Sequence, residues 1–365
     1  MYFPNLDLLR AFAAISVLVL HVIELTGWKN FPIEGPLTWF RIGWMGVDLF
    51  FVISGFVITF SAFSILENNT LGKFRELFIK KRTARIAPLY ILTILVFLTF
   101  VMPAFLFERF WINLFSHLLF IHNLFPSLHG SINGPNWTIA TEMQFYLLIL
   151  FLAPWLRSAN VYKIVLIFLS VSWCWKAAVV GYFHYAPPEN TFPIFVYSTQ
   201  LPGVLDEFLM GILIARFFKS TYFKNIDSYF KKKNLVSYLP FLLAIIFLYC
   251  VLQIFWSYSE YWNNPLMVIF FRTLLASSFA FIVFSLCFIK VPKSTDLIFS
   301  PLNYLGKISY GIYLWHLPVI LSLKKVEWLT SDRILLLTLA LTFIFASISW
   351  HFFEKPLLDK FSKNA

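Results

Sequence analysis

The sequence predicts an all-α fold, that of a polytopic integral membrane protein with about ten transmembrane helices and both termini cytoplasmic. Three observations lead there. Of 365 residues, 59% are hydrophobic and only 13% charged, with a mean hydropathy of +0.76, which lies outside the composition of soluble globular chains. The apolar residues gather into windows of about 20, the length a helix needs to cross roughly 30 Å of hydrocarbon. Lys and Arg fall preferentially on alternate sides of those windows.

The windows run over 6–25, 44–64, 86–103, 137–153, 163–181, 203–218, 236–256, 266–288, 303–323 and 333–353. With the N-terminus inside, the cytoplasmic segments hold nineteen basic residues and the outer ones six, the asymmetry that sets orientation. Arg75, Arg157, Lys163, Lys224 and Lys290 are among the nineteen, whereas the outer six are Lys29, Arg41, Arg109, Lys324, Lys325 and Arg333. The same asymmetry accounts for the net charge of +11 without nucleic acid as a partner. Lys231, Lys232 and Lys233 read as a lipid-facing basic run.

The start, Met1 to Asn5, lacks the basic region of a cleavable signal, so the first helix is expected to be retained. The stretches 65–85 and 104–136 are too short to bury a core. The expectation is a single membrane-embedded domain over 1–365, with no appended soluble domain. Cys174, Cys250 and Cys287 fall inside expected spans, where lone thiols pack as small apolar groups, and no Cys/His spacing suggests a metal.

Against this apolar background the ionisable residues stand out. The first helix, LDLLRAFAAISVLVLHV, carries Arg10 and His21. Eleven residues bring His21 back to within about 20° of Arg10 and some 16 Å further along the axis. Asp7 can pair with Arg10 one turn away, which leaves open an interfacial anchor with His21 among the headgroups. The second helix, GWMGVDLFFVISGFVITF, holds Asp48 near its outer end; the fourth, NWTIATEMQFYLL, holds Glu142; the ninth, ISYGIYLWHLPVI, holds His316. Intramembrane carboxylates and imidazoles are costly and usually face a cavity or one another, so these four are expected to share one polar layer. In the loop KFRELFIKKRTARIAPLY, Arg82 and Arg85 lie three apart, as a fork suited to phosphate or, alternatively, to anionic lipid.

The motifs LDLLRAFAAISVLVLH, GVDLFFVISGF, RTAR, NWTIATEMQFYLL, LDEFLMG, ISYGIYLWHLP and FFEKP, in that order over residues 6 to about 356, resemble the acyltransferase family 3 membrane proteins. These include O-antigen and exopolysaccharide O-acetyltransferases and macrolide acyltransferases. The resemblance implies a ten-helix fold and transfer of an acyl group, often acetyl from acetyl-CoA, to a hydroxyl of an acceptor at the membrane. It places the family's Arg and His on Arg10 and His21, its intramembrane Asp on Asp48, its Arg pair on Arg82 and Arg85, and its fourth-span acid on Glu142. Glu207 and Glu354, the latter with Pro356, complete the match. Two departures stand out: Met143 replaces a second acid after Glu142, and no Arg shortly precedes Glu207.

The implied enzyme is a cell-membrane O-acyltransferase, in the inner membrane if bacterial. Acyl-CoA, with acetyl-CoA first, is the donor, and a carbohydrate or lipid-linked glycan the acceptor. Arg10, Arg82 and Arg85 would serve the donor. His21 would act as general base, oriented by Asp48 or Glu142, or would itself carry the acyl group. His316, Glu207 and Glu354 are further candidates. A secondary transporter using His21, Asp48 and Glu142 as a proton relay is the alternative; it would require internal repeats and interrupted helices in matching halves, and neither is evident in the sequence.

Overall fold

A computed structural model describes residues 3, 5–183, 191–223, 238–258, 260–289 and 296–363. Among these it is all helix and connecting turn. Lys224, Lys231, Lys232, Lys233, Lys290 and Lys293, counted above on the cytoplasmic side, lie outside the described residues.

In chain order the α-helices are α1 (Asn5–Thr26), α2 (Met45–Asn68), α3 (Leu71–Val96), α4 (Phe110–Leu118), α5 (Asn136–Ser158), α6 (Val161–Phe183) and α7 (Phe192–Ser198). They continue as α8 (Leu205–Phe218), α9 (Leu239–Ser257), α10 (Arg272–Leu286), α11 (Asp296–Lys307), α12 (Ser309–Leu323), α13 (Ser331–Ser349) and α14 (Lys355–Lys363). Wide π-helical turns extend α3 through Phe97–Val101, lead into α10 through Met267–Phe271, and join α13 to α14 through Trp350–Glu354.

Eight helices among the described residues are long and apolar enough to cross a membrane: Asn5–Thr26, Met45–Asn68, Leu71–Val101, Asn136–Ser158, Val161–Phe183, Leu239–Ser257, Met267–Leu286 and Ser331–Lys360. The other two sequence windows form shorter helices. Window 203–218 yields α8, 14 residues long, because the preceding LPGV forms a 3-10 turn containing Pro202 and Gly203. Window 303–323 is broken at Ile308, which leaves α12 with 15 residues. At 1.5 Å per residue these reach roughly 21–23 Å, short of a full hydrocarbon thickness.

Such short helices hold their place by packing. α2 and α8 approach closely because a glycine stands on each: a Cβ on Gly55 would lie 2.3 Å from the Phe208 carbonyl oxygen, and one on Gly211 2.2 Å from that of Val52. Small residues permit this backbone approach where water exclusion cannot drive association. The contact stations Glu207 and Asp206, in the first turn of α8, against the middle of the bundle, where both are buried. α1 sits centrally too, packing on α2, α11 and α12, so that one end of it points into each of two cavities.

Candidate active site

The first cavity, about 370 Å³, is lined by Arg10 of α1, Ser54 of α2, Lys81, Arg82 and Arg85 of α3, Glu142 and Tyr146 of α5, and Tyr310 and Tyr313 of α12. Leu358 of the C-terminal helix α14 closes one wall. Arg10 Nη1 donates to Asp7 Oδ1 at 2.9 Å. Arg82 and Arg85 have no carboxylate within 4.0 Å among the described residues; their guanidinium groups rest instead on aromatic faces, Arg82 on Phe78 and Tyr146 and Arg85 on Trp350. Stacking of this kind holds a guanidinium in plane while leaving its N–H groups free to meet an anion. Glu142 accepts from Ser54 Oγ at 2.5 Å and from Tyr146 Oη at 2.7 Å. Four cations therefore face one carboxylate in this cavity.

The second cavity, about 630 Å³, lies at the other end of α1. His21 and Glu24 enter it from α1, Arg272 from α10, and His129 from the segment before α5. Much of the remaining wall is aromatic, with Trp44, Trp137, Phe192, Phe195, Phe255, Tyr261 and Trp262. His129 stacks on Trp137 with ring centroids 5.4 Å apart. The stretch from His129 to Trp137 borders this cavity, while Trp111, earlier in the same aromatic-rich region, is exposed and does not.

Val47 and Tyr313 line both cavities. The Tyr313 hydroxyl bonds to Thr138 Oγ1 at 2.8 Å and donates to the Pro135 carbonyl at 3.2 Å, and its ring meets Phe50 edge-on at 5.9 Å. The side chain is thus held at both ends, as a partition between the two spaces.

The four residues expected in one layer are separated into three environments. His21 and His316 come together, Nδ1 of the first 2.9 Å from Nε2 of the second. Glu142 sits in the first cavity, six residues into α5 and about 9 Å along its axis, with Arg82 and Arg85 rather than with His21. Asp48, in the first turn of α2, is buried and accepts from Arg272 Nη1 at 3.1 Å. Glu207 approaches the same nitrogen at 3.6 Å. Asp48, Glu207, His316 and Glu354 line neither cavity; Glu354 is buried between α13 and α14.

Arg272 and Lys176 are charged residues that the sequence reading passed over. Lys176 Nζ is fully buried and bonds Asp206 Oδ2 at 2.7 Å, and Asp206 also accepts from Thr273 Oγ1 at 2.5 Å. The signal was present: each is a single cation inside an otherwise apolar window, WCWKAAVV or VIFFRTLL, the same anomaly that marked Asp48. The π turn Met267–Phe271 directly before Arg272 is of a kind often found at functional positions.

Fold and site define a multi-pass membrane protein with a cationic cavity at one end of its bundle and a histidine-bearing aromatic cavity at the other. Over residues 3–354 it matches the family model described as an acyltransferase domain, and the chain belongs to that family, acyltransferase family 3. It is similar to the "Putative peptidoglycan O-acetyltransferase YrhL" of Bacillus subtilis, 28% identical over 376 residues, covering 98% of this chain and 55% of that one. It is also similar to the peptidoglycan O-acetyltransferase OatA of Listeria monocytogenes, 27% identical over 98% of this chain and 56% of that one. The O-acetyltransferase OatA of Staphylococcus aureus is 27% identical over 98% of this chain and 58% of that one. The chain thus spans a little over half the length of these relatives. No solved structure matches it.

Proposed function

We propose that this chain is a membrane O-acetyltransferase that carries an acetyl group from acetyl-CoA in the first cavity to a carbohydrate hydroxyl in the second. In this reading both termini are cytoplasmic, α8 and α12 complete ten crossings, and the first cavity opens to the cytoplasm. The observation that carries the proposal is the shared wall: two cavities of opposite chemical character, one cationic and one aromatic, meet at Val47 and Tyr313.

Arg10, Lys81, Arg82 and Arg85 supply the charge-assisted donors that the phosphates of coenzyme A need. Glu142, held by Ser54 and Tyr146, limits the local excess of positive charge and keeps Tyr146 beneath Arg82. The thioester then reaches past Tyr313 toward His21. His21 removes the proton of the acceptor hydroxyl as its oxygen attacks the thioester carbonyl. The carbon–sulfur bond breaks, and the imidazolium returns the proton to the departing thiolate. Aromatic walls such as Trp44, Trp137 and Trp262 suit the apolar faces of a pyranose. The names of the relatives make a peptidoglycan sugar the first acceptor to test.

The direct experiment follows label from acetyl-CoA in membranes containing this chain, with mass analysis of cell-wall and surface glycans. Acetyl ester on a glycan, lost in His21→Ala, is the expected result. No acetyl ester on any glycan, with the protein correctly inserted, would overturn the reading.

A further inference from the structure

We propose that His316 is the positioning residue that sets the tautomer of His21, the part a carboxylate takes in a Ser-His-Asp triad being taken here by a second, neutral imidazole. The inference rests on the reading of His21 as general base. Among the described residues no carboxylate bonds the His21 ring: Asp48 is engaged by Arg272, Glu142 by Ser54 and Tyr146 on the other side of the Tyr313 partition, and Glu24, which enters the same cavity one turn further along α1, makes no hydrogen bond to it.

What lies behind His21 is His316, reached from α12 across the bundle. The Nδ1 to Nε2 separation is 2.9 Å, and the rings lie nearly parallel, 19° apart with centroids at 5.0 Å. His316 is 1% exposed, whereas His21 borders the second cavity. A hydrogen bond between two imidazole nitrogens holds one proton, and in neutral rings its owner determines which nitrogen is basic elsewhere. If His316 Nε2 donates, His21 carries its own hydrogen on Nε2 and has no lone pair for an acceptor hydroxyl. If His21 Nδ1 donates, its Nε2 is the free base.

The surroundings of His316 select the second arrangement. Its other nitrogen, Nδ1, is buried, and among the described residues no donor reaches it; the backbone groups close to the ring are those of Ile312 and Tyr313, one turn earlier in α12. Helix carbonyls accept but cannot donate, so a hydrogen on Nδ1 lies toward acceptors where a lone pair would meet no donor, and Nε2 is left to accept. During transfer, His21 Nε2 takes the hydroxyl proton and gives it to the thiolate. His316 neither gains nor loses a proton; it keeps Nδ1–H of His21 occupied and the ring in place throughout.

The test uses the full chain in detergent or nanodiscs and two variants. His316→Leu removes the acceptor, and His316→Gln keeps a side-chain oxygen that can accept from Nδ1–H. We expect the first to lower kcat by about a hundredfold or more, as a misplaced tautomer does, with both KM values changed by less than about twofold. The second should recover at least roughly a tenth of the wild-type rate. Independently, nitrogen NMR of ¹⁵N-histidine protein, assigned with His21→Gln, should find His21 protonated on Nδ1. Protonation on Nε2 instead, or wild-type kcat in His316→Leu, would overturn the proposal. Should His316→Leu fail to accumulate, the NMR measurement on the native chain decides. Full activity in His21→Gln would instead remove the base reading itself, a result distinct from an inactive His21→Gln beside a fully active His316→Leu.

Discussion

Arg272 and Asp48, 224 positions apart in the chain, form a buried ion pair of 3.1 Å at the junction of α2 and α10, with Glu207 at 3.6 Å from the same guanidinium nitrogen and Trp44 beneath the guanidinium. An acid expected to face His21 thus faces a cation instead. Breaking such a pair from one side strands a charge in a low-dielectric interior, which costs about 3–5 kcal/mol, whereas replacing both partners with apolar residues is far milder. Arg272→Met, which leaves buried Asp48 and Glu207 without their cation, should therefore lower the melting temperature of the solubilised protein sharply, and adding Asp48→Leu and Glu207→Leu to it should regain much of the loss. Equal damage from the single and the triple variant would show that the three residues do not act together.

The donor side makes a separate prediction. Arg82→Ala and Arg85→Ala should each raise KM for acetyl-CoA while leaving insertion and melting behaviour near normal, since neither side chain pairs with a carboxylate among the described residues. Charge-assisted hydrogen bonds are worth about 1.5–3 kcal/mol, so roughly a tenfold to a hundredfold increase is expected for each. A donor KM unchanged in both would return the pair to anchoring lipid.

His21→Ala and His21→Gln should both cut turnover by about a hundredfold to ten-thousandfold, with the protein still accumulating in the membrane. The glutamine preserves hydrogen bonding but takes no proton. Near-normal turnover in His21→Gln would leave the chemistry to another group.

Acid should destabilise the fold through the segment between α3 and α5. Burial pulls His117 and His129 down to about 4, and burial together with neighbouring His117 pulls His122 to about 2; the His117 and His122 rings stack 3.8 Å apart. An unfolded histidine binds its proton near pH 6.5. Between that pH and about 4 the unfolded chain therefore holds more protons than the folded one, and stability falls as pH falls, by up to roughly 1.4 kcal/mol per pH unit for each histidine. Above about pH 6.5 the stability is fully present. Melting curves from about pH 7.5 down to pH 5 should show the loss, reduced in His122→Phe. A flat profile would mean that these rings are hydrated.

How much of this was legible in advance depends on the range of the physics involved. Hydropathy acts locally, so the spans through α1, α2, α5 and α13 could be read nearly to their ends, and the helical period put Arg10 and His21 on one face of α1. Where a turn intervenes the reading weakened: Pro202 and Gly203 shorten α8, and the break at Ile308 shortens α12. Which partner each side chain faces was the harder quantity. Asp48 turns to Arg272, and Glu142 to Ser54 and Tyr146 in the other cavity, so neither meets His21 as counting from the span ends suggested. Pairings such as Asp48 with Arg272 or His21 with His316 join residues hundreds of positions apart, and no periodicity in one chain relates them. The unpaired look of Arg272 and Lys176 in their apolar windows was visible, but only the fold says which acids they meet.

The partition at Val47 and Tyr313 has an electrical consequence. A membrane potential drops across whatever layer excludes water and ions, and if the two cavities open to opposite faces of the membrane, as proposed, that layer thins to the wall at these two side chains. A charge moved through it would meet almost the whole field, about 2.3 kcal/mol for each elementary charge per 100 mV. In the proposed transfer the acetyl thioester is neutral and would meet none of it, while the donor's phosphates would stay with the arginines on one side. Transfer across such a layer is electrically silent, and its rate should be indifferent to voltage.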